Sequence, residues 1–467
     1  MNIFRILILK HLLICLAIGI SNQLYASRLE GFEPDYAGRT IEFYNWTDPV
    51  SKTDKKAFSL RIGPQGRIQV DTGVTETLFC FADFDSYQGK IIIVPGETLK
   101  IKLPPLKEKT FEESKNPYFQ PITTWILAQS GSREELNTLF ARFDQRFYQL
   151  NQKYFNQLYM RQQRNYLDSV RIPLEKEFNQ INAPLFQHHM QLQLKTVEAG
   201  IMRAGREKLM AGMRGLPAQA WKLPAFADLV DRLFTNSLSI ESKSAKGAAI
   251  RNMITRRNVA ELRKWTETYT GTTSPLSDLL SIKMLHDAFY SGEFSKIAII
   301  HILQSEGFTR HTHSEIRSAA ASVAEKLQFL FPGTEAPVIV LPTLAGDTIY
   351  STSSSKPFQY ILFADLEIPV CQEQVKYLTE INERIGNRVD ILLVLTPSTR
   401  VNNLEFIRAN NIPGRIVLDT ETKTIGRKYK VRSYPSAYLV NREHKVVLAP
   451  AKTPLDGFEH QLAGVRE

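Results

Sequence analysis

Sulfur is scarce in this 467-residue chain, and one cysteine carries most of what the sequence says about chemistry. Cys371 closes the run FADLEIPVC, Phe363 to Cys371, directly after a stretch that reads as a buried strand. Two thiols spaced C-x-x-C at such a place make a dithiol exchange site, in which one thiolate attacks a disulfide and the other resolves the mixed disulfide. The partner position here is Ile368, which offers no nucleophile. Asp365 and Glu367 put negative charge beside Cys371 and disfavour its thiolate. A helix beginning at Pro369 would favour the anion through its aligned N–H groups, against that opposition. On this balance Cys371 reads as a quiet, partly buried thiol.

The other chemistry-bearing residues point elsewhere. Cys80 lies inside TLFCFADF on the strand face of Leu78 and Ala82, and reads as a small core residue. A bridge from Cys80 to Cys371 would need Cα atoms within about 7 Å, and nothing in the sequence draws them together. Two separate buried thiols is the preferred reading. His311 and His313 with Glu315, in TRHTHSE, form a histidine cluster, but their spacing matches no zinc motif, so no metal site is assigned. The central block shows no catalytic triad, no phosphate-cradling glycine loop and no zinc-protease motif. No cofactor is expected.

These residues must be positioned by a large globular protein. A content of 43% hydrophobic and 23% charged residues excludes disorder and supports about three domains. The start, MNIFRILILK followed by an apolar run from Leu12 to Ile20 and small Ala26 and Ser27, has the layout of a secretory signal peptide, with an uncleaved anchor as the competing reading. Cys15 follows bulky Ile14, where lipoprotein processing wants a small residue. The formal charge of +10 is spread over helical stretches and mixed with acids, as in RNMITRRNVAELRKW, which reads as a solvated surface and excludes a nucleic-acid partner.

Periodicity divides the rest into three blocks. Residues 28–108, with TIEFYNW, RIQVD and KIIIVPG between Gly/Pro turns, predict a small antiparallel all-β sandwich. Residues 109–331 take helical spacing, with Leu136, Phe140, Phe143 and Phe147 as a packing seam. Residues 332–467 alternate strand and helix: a hairpin around Ala345-Gly346-Asp347, then YILFA, a helix from Pro369 to Gly386, VDILLVLT, RIVLD, and a final antiparallel pair AYLVN and KVVLAP. That order predicts an α/β layer fold with a parallel core. Residues 1–27 are the expected signal peptide.

The last block resembles the TlpA/ResA branch of the thioredoxin superfamily. The residues that carry the resemblance are the entry PGTEAPVIVL with its Gly-Asp turn, the strand ending at Phe363, Pro369 two residues before Cys371, and Tyr434-Pro435 before AYLVN. The resemblance implies a thioredoxin-like fold, a cis bond at Pro435 facing the active-site position, and peptide docking beside it. Ile368, Pro369, Tyr434 and Pro435 are then the candidate peptide-binding residues and Cys371 the one candidate catalytic residue. Where a tryptophan is usual stands Glu367. The layout as a whole resembles exported TlpA-like proteins whose front domain has no assigned role.

The expectation is a multidomain periplasmic or cell-envelope protein. Its thioredoxin-like domain is redox-inactive and binds an envelope protein or peptide, with membrane association only if the signal is retained. The alternative is a thiol–disulfide oxidoreductase relative that uses the single Cys371. A peroxidase version would want threonine where Ile368 stands. A third reading places the function in the first two blocks, whose sequence identifies no ligand.

Overall fold

The computed structural model describes residues 27–128, 135–201, 206–343, 346–419 and 423–466. The expected signal peptide, apart from Ser27, lies outside the described residues, as do Cys15 and Ala345. The chain divides into two compact units, one within Met1–Lys109 and Gln120–Leu327, the other within Thr110–Phe119 and Gln328–Glu467.

The first unit begins with nine strands: β1 (Arg28–Phe32), β2 (Thr40–Trp46), β3 (Asp54–Arg61), β4 (Arg67–Asp71), β5 (Leu78–Phe84), β6 (Tyr87–Ile93), β7 (Thr98–Lys102), β8 (Ile122–Trp125) and β9 (Leu127–Ala128). They form two sheets, ordered β4-β1-β7-β9 and β3-β2-β5-β6-β8. Leu29 and Ile101 of one sheet and Phe43, Cys80 and Ile91 of the other share a single core, which makes the block a β-sandwich. It is not wholly antiparallel as the short strands suggest, because β1 pairs with β7, and β6 with β8, in parallel. Those partners are joined by long connections rather than hairpins, which is the condition a parallel pair requires.

Among the described residues, the rest of the same unit, from Leu136 to Leu327, is helical. In the helix Leu136–Lys153, Phe140 and Phe143 are fully buried, while Leu136 and Phe147 are half-buried. Phe143 packs edge-on against Phe178 and Phe186, so the aromatic stripe is a helix-packing seam. The helix is tied to the sandwich by Asn137, whose side chain accepts from the Ile92 N–H at 2.6 Å and donates to the Ile92 carbonyl at 3.0 Å. Such bonds explain why the strand-rich and helix-rich stretches form one compact unit.

The second unit holds β10 (Val340–Pro342), β11 (Thr348–Tyr350), β12 (Phe358–Ala364), β13 (Val389–Leu395), β14 (Arg415–Leu418), β15 (Ser436–Asn441) and β16 (Val446–Ala451). β10 and β11 pair as the expected antiparallel hairpin. The other five make one sheet, ordered β14-β13-β12-β15-β16, parallel from β12 to β14 and antiparallel on the far side. Every residue of β12 is buried, because both sheet faces are covered. Phe358, Tyr360, Leu362 and Ala364 point into one core, and Ile361 and Phe363 into the other, as the two-residue strand period requires. The helix expected from Pro369 to Gly386 is two helices, Pro369–Lys376 and Leu378–Ile385, meeting at Tyr377. Cys371, Val375, Leu378 and Ile381 cover the first core, and Ile425 and Tyr429 the second.

Among the described residues no helix is long and apolar enough to cross a membrane.

Candidate functional site

The carboxyl ends of the parallel strands β12 and β13 are where an open α/β sheet places a ligand site. β12 ends at Ala364, and a short loop, Asp365 to Ile368, leads into the helix Pro369–Lys376. Pro369 occupies the first helical turn, where its missing N–H costs nothing and its fixed φ suits the helix. Ile368 is the N-cap residue and has no side-chain atom that could accept from the first-turn N–H groups. The loop is held instead by backbone bonds, Ile368 N–H to the Asp365 carbonyl at 3.0 Å and Cys371 N–H to the Ile368 carbonyl at 2.9 Å.

Cys371 is fully buried and free, one helical turn below that cap. Burial pushes its thiol up to about 11; a backbone hydrogen bond from Asp365 works against the rise, the Asp365 charge adds to it, and the Lys115 charge opposes it. Cys80 is free as well, buried in the sandwich core of the first unit, and burial pushes its thiol up to about 12. Thiols raised this far are almost wholly protonated at neutral pH, and a protonated thiol is not a nucleophile.

The acids beside Cys371 are occupied rather than idle. Lys115 Nζ lies 2.7 Å from Asp365 Oδ2 and 2.6 Å from Glu367 Oε2, and the two carboxylate side chains are only 1% and 5% exposed. The other oxygen of Glu367 accepts from Ser398 Oγ at 2.9 Å, Thr399 N–H at 2.7 Å and Arg400 N–H at 3.0 Å. Burial alone would push the Glu367 carboxyl up, but Lys115 and these donors outweigh it and hold it at about 2. Lys115 belongs to the short helix Phe111–Lys115, whose Phe111 ring lies under the Arg400 guanidinium at 3.3 Å.

Of the two acids the sequence places beside Cys371, the Asp365 charge acts on the thiol and Glu367 is not among the groups that shift it, and the cation that answers both acids is not announced by the sequence. Lys115 is 250 residues away from Asp365 in the chain, so no local pattern links them. The T-x-x-E box of Thr110 and Glu113, a recognisable helix start, was the available signal that this stretch is ordered.

The candidate binding residues divide by exposure. Ile368 and Tyr434 are partly buried and pack on the core that contains Cys371, Pro435 is half-buried, and Pro369 is exposed. The Tyr434–Pro435 peptide bond is cis. Burial pushes the Tyr434 phenol up, and the charges of Asp419, Asp365 and Cys371 add to the rise. In the first unit, His311 Nε2 lies 3.0 Å from Asp278 Oδ2, and Arg263 donates to the same carboxylate at 2.5 and 2.8 Å. Among the described residues no group of three or more His, Cys, Asp or Glu side chains is placed to hold a metal ion.

Residues 332–449 match the AhpC/TSA family. No curated protein matches the chain. Solved structures similar to it include the thioredoxin domain of a thiol-disulfide oxidoreductase from Bacteroides vulgatus, at 19% identity over 29% of this chain and 99% of that one, with a TM-score of 0.27. A thiol:disulfide interchange protein DsbE from Chlorobium tepidum is similar at 19% identity over 28% and 96%, with a TM-score of 0.25. A thiol:disulfide interchange protein from a Bacteroides species is similar at 18% identity over 29% and 90%, with a TM-score of 0.26. The five-stranded sheet with Tyr434-Pro435 leading into β15, together with the family match over residues 332–449, makes the C-terminal part of this chain a thioredoxin-like domain of the AhpC/TSA type.

Proposed function

We propose that this is an exported, TlpA-like cell-envelope protein whose thioredoxin-like domain has given up thiol–disulfide exchange and serves as a docking module for an envelope protein or peptide. The observation that carries the reading is the pairing of Ile368 at the helix cap with a fully buried Cys371, whose thiol is pushed up to about 11. Dithiol exchange needs an exposed thiolate and a second sulfur to resolve the mixed disulfide, and this domain holds a single cysteine that is fully buried and whose thiol burial pushes up to about 11. Docking of an extended peptide through backbone contacts needs no sulfur. Ile368, Pro369, Tyr434 and Pro435 are the residues proposed to meet it. Export rests on the layout of the first 27 residues.

An insulin-reduction assay on the purified mature protein tests the inactive reading. The expected result is no turnover above a buffer control. Turnover that disappears in Cys371→Ser would establish the single-cysteine enzyme instead.

A further inference from the structure

Thr110–Phe119 lies in sequence between two stretches of the first unit, yet it belongs by its contacts to the thioredoxin-like unit. Its order begins locally. Thr110 accepts from the Glu113 N–H and the Glu113 carboxylate accepts from the Thr110 N–H, a reciprocal box that fixes the turn Phe111–Lys115. Phe111 and Lys115 are four residues apart and so lie on one side of that turn. Both are engaged: Phe111 under Arg400, and Lys115 between Asp365 and Glu367.

Those contacts fall where β12 and β13 end. Asp365 and Glu367 follow β12, and Arg400 lies in the loop after β13. Two buried carboxylates within hydrogen-bond reach of one ammonium would be left desolvated and mutually repelling without it. A segment that covers these two carboxylates keeps both ionised most readily by bringing a cation.

We infer that Thr110–Phe119 is the resident occupant of a face of the thioredoxin-like domain formed by Asp365, Glu367 and Arg400, and that a partner binds there by displacing it with a lysine- or arginine-bearing turn of its own. The inference rests on the docking-module reading and adds to it the acidic face of Asp365 and Glu367, which precedes Ile368 and Pro369 in the chain. An ionic latch of this kind commits the face to basic, aromatic-bearing segments and rejects acidic ones.

The test uses the full mature chain and two variants, Lys115→Ala, which removes the ion pairs, and Phe111→Ala, which leaves them and removes the ring under Arg400. Folding of each is checked by circular dichroism. A fluorescent synthetic peptide of residues 108–120 is titrated to about 1 mM, the concentration scale that a short tether supplies in cis, and binding is read by anisotropy. The expected result is saturable binding to at least one folded variant, at least about tenfold weaker binding to the wild type, and loss of binding when the peptide carries alanine at the Lys115 position. Absence of saturable binding to either folded variant, or equal binding to variants and wild type, would overturn the inference. Insulin turnover by a protein that still shows the expected peptide pattern would remove the redox-inactive reading and leave the occupant in place.

Discussion

Lys115 Nζ sits 2.6 Å from Glu367 Oε2, so a residue from the N-terminal side of the chain neutralises an acid placed four positions before Cys371. The same ammonium reaches Asp365 Oδ2 at 2.7 Å. Removing one partner from a buried ion pair leaves an uncompensated charge, which typically costs several kcal/mol. Lys115 retains some exposure, which moderates the penalty. Lys115→Met is expected to destabilise the protein by about 2 kcal/mol in urea unfolding, and adding Glu367→Gln should recover part of the loss. Equal stability of Lys115→Met and wild type would show the pair to be a surface contact of no consequence.

The Glu367 carboxyl gives a pH signature. Its folded value, about 2, lies below the ordinary 4.5, so folding favours the ionised form. A depressed carboxyl contributes stability that is present above the unfolded value and is lost as pH falls toward the folded one. Acid unfolding between about pH 4.5 and 2 should therefore carry a contribution that is missing in Glu367→Gln. Midpoints followed by circular dichroism across that window check it; parallel curves for the two proteins would contradict the assignment.

In the first unit, the fully buried Asp278 is held by Arg263, Ser274 and His311. Burial would raise its carboxyl, and the Arg263 and Ser274 hydrogen bonds outweigh that and keep it low. Asp278→Ala should cost about 3–5 kcal/mol because it strands a partly buried guanidinium, whereas His313→Ala should stay within about 0.5 kcal/mol. The histidine cluster is thereby read as one structural histidine beside an exposed neighbour. A reversed order of the two effects would require a different role for His313.

The C-terminal sheet was legible because its code is local. The run Phe358–Ala364 is apolar at every position but Gln359, which is the signature of a strand covered on both faces, and the Gly/Pro-punctuated alternation after it sets the remaining strands. The helix start at Pro369 was also readable, since N1 proline marks a helix start. What the chain did not reveal is non-local. The parallel pairing of β1 with β7 depends on a closure that no hairpin turn announces, and Lys115 reaches Asp365 across 250 residues. Sequence placed Asp365 and Glu367 as charges that act on Cys371; three-dimensional packing turned them into the seat of a lysine.

The direct measurement is the thiol pKa of Cys371, read from the pH dependence of its alkylation rate in the folded protein of residues 28–467 carrying Cys80→Ser, in which Cys371 is the one remaining thiol. The account predicts slow labelling at pH 7 and a rate that keeps rising toward a value near 11. A plateau reached below the unperturbed thiol value of about 8.5, with fast labelling at neutral pH, would contradict it and return Cys371 to the list of working nucleophiles.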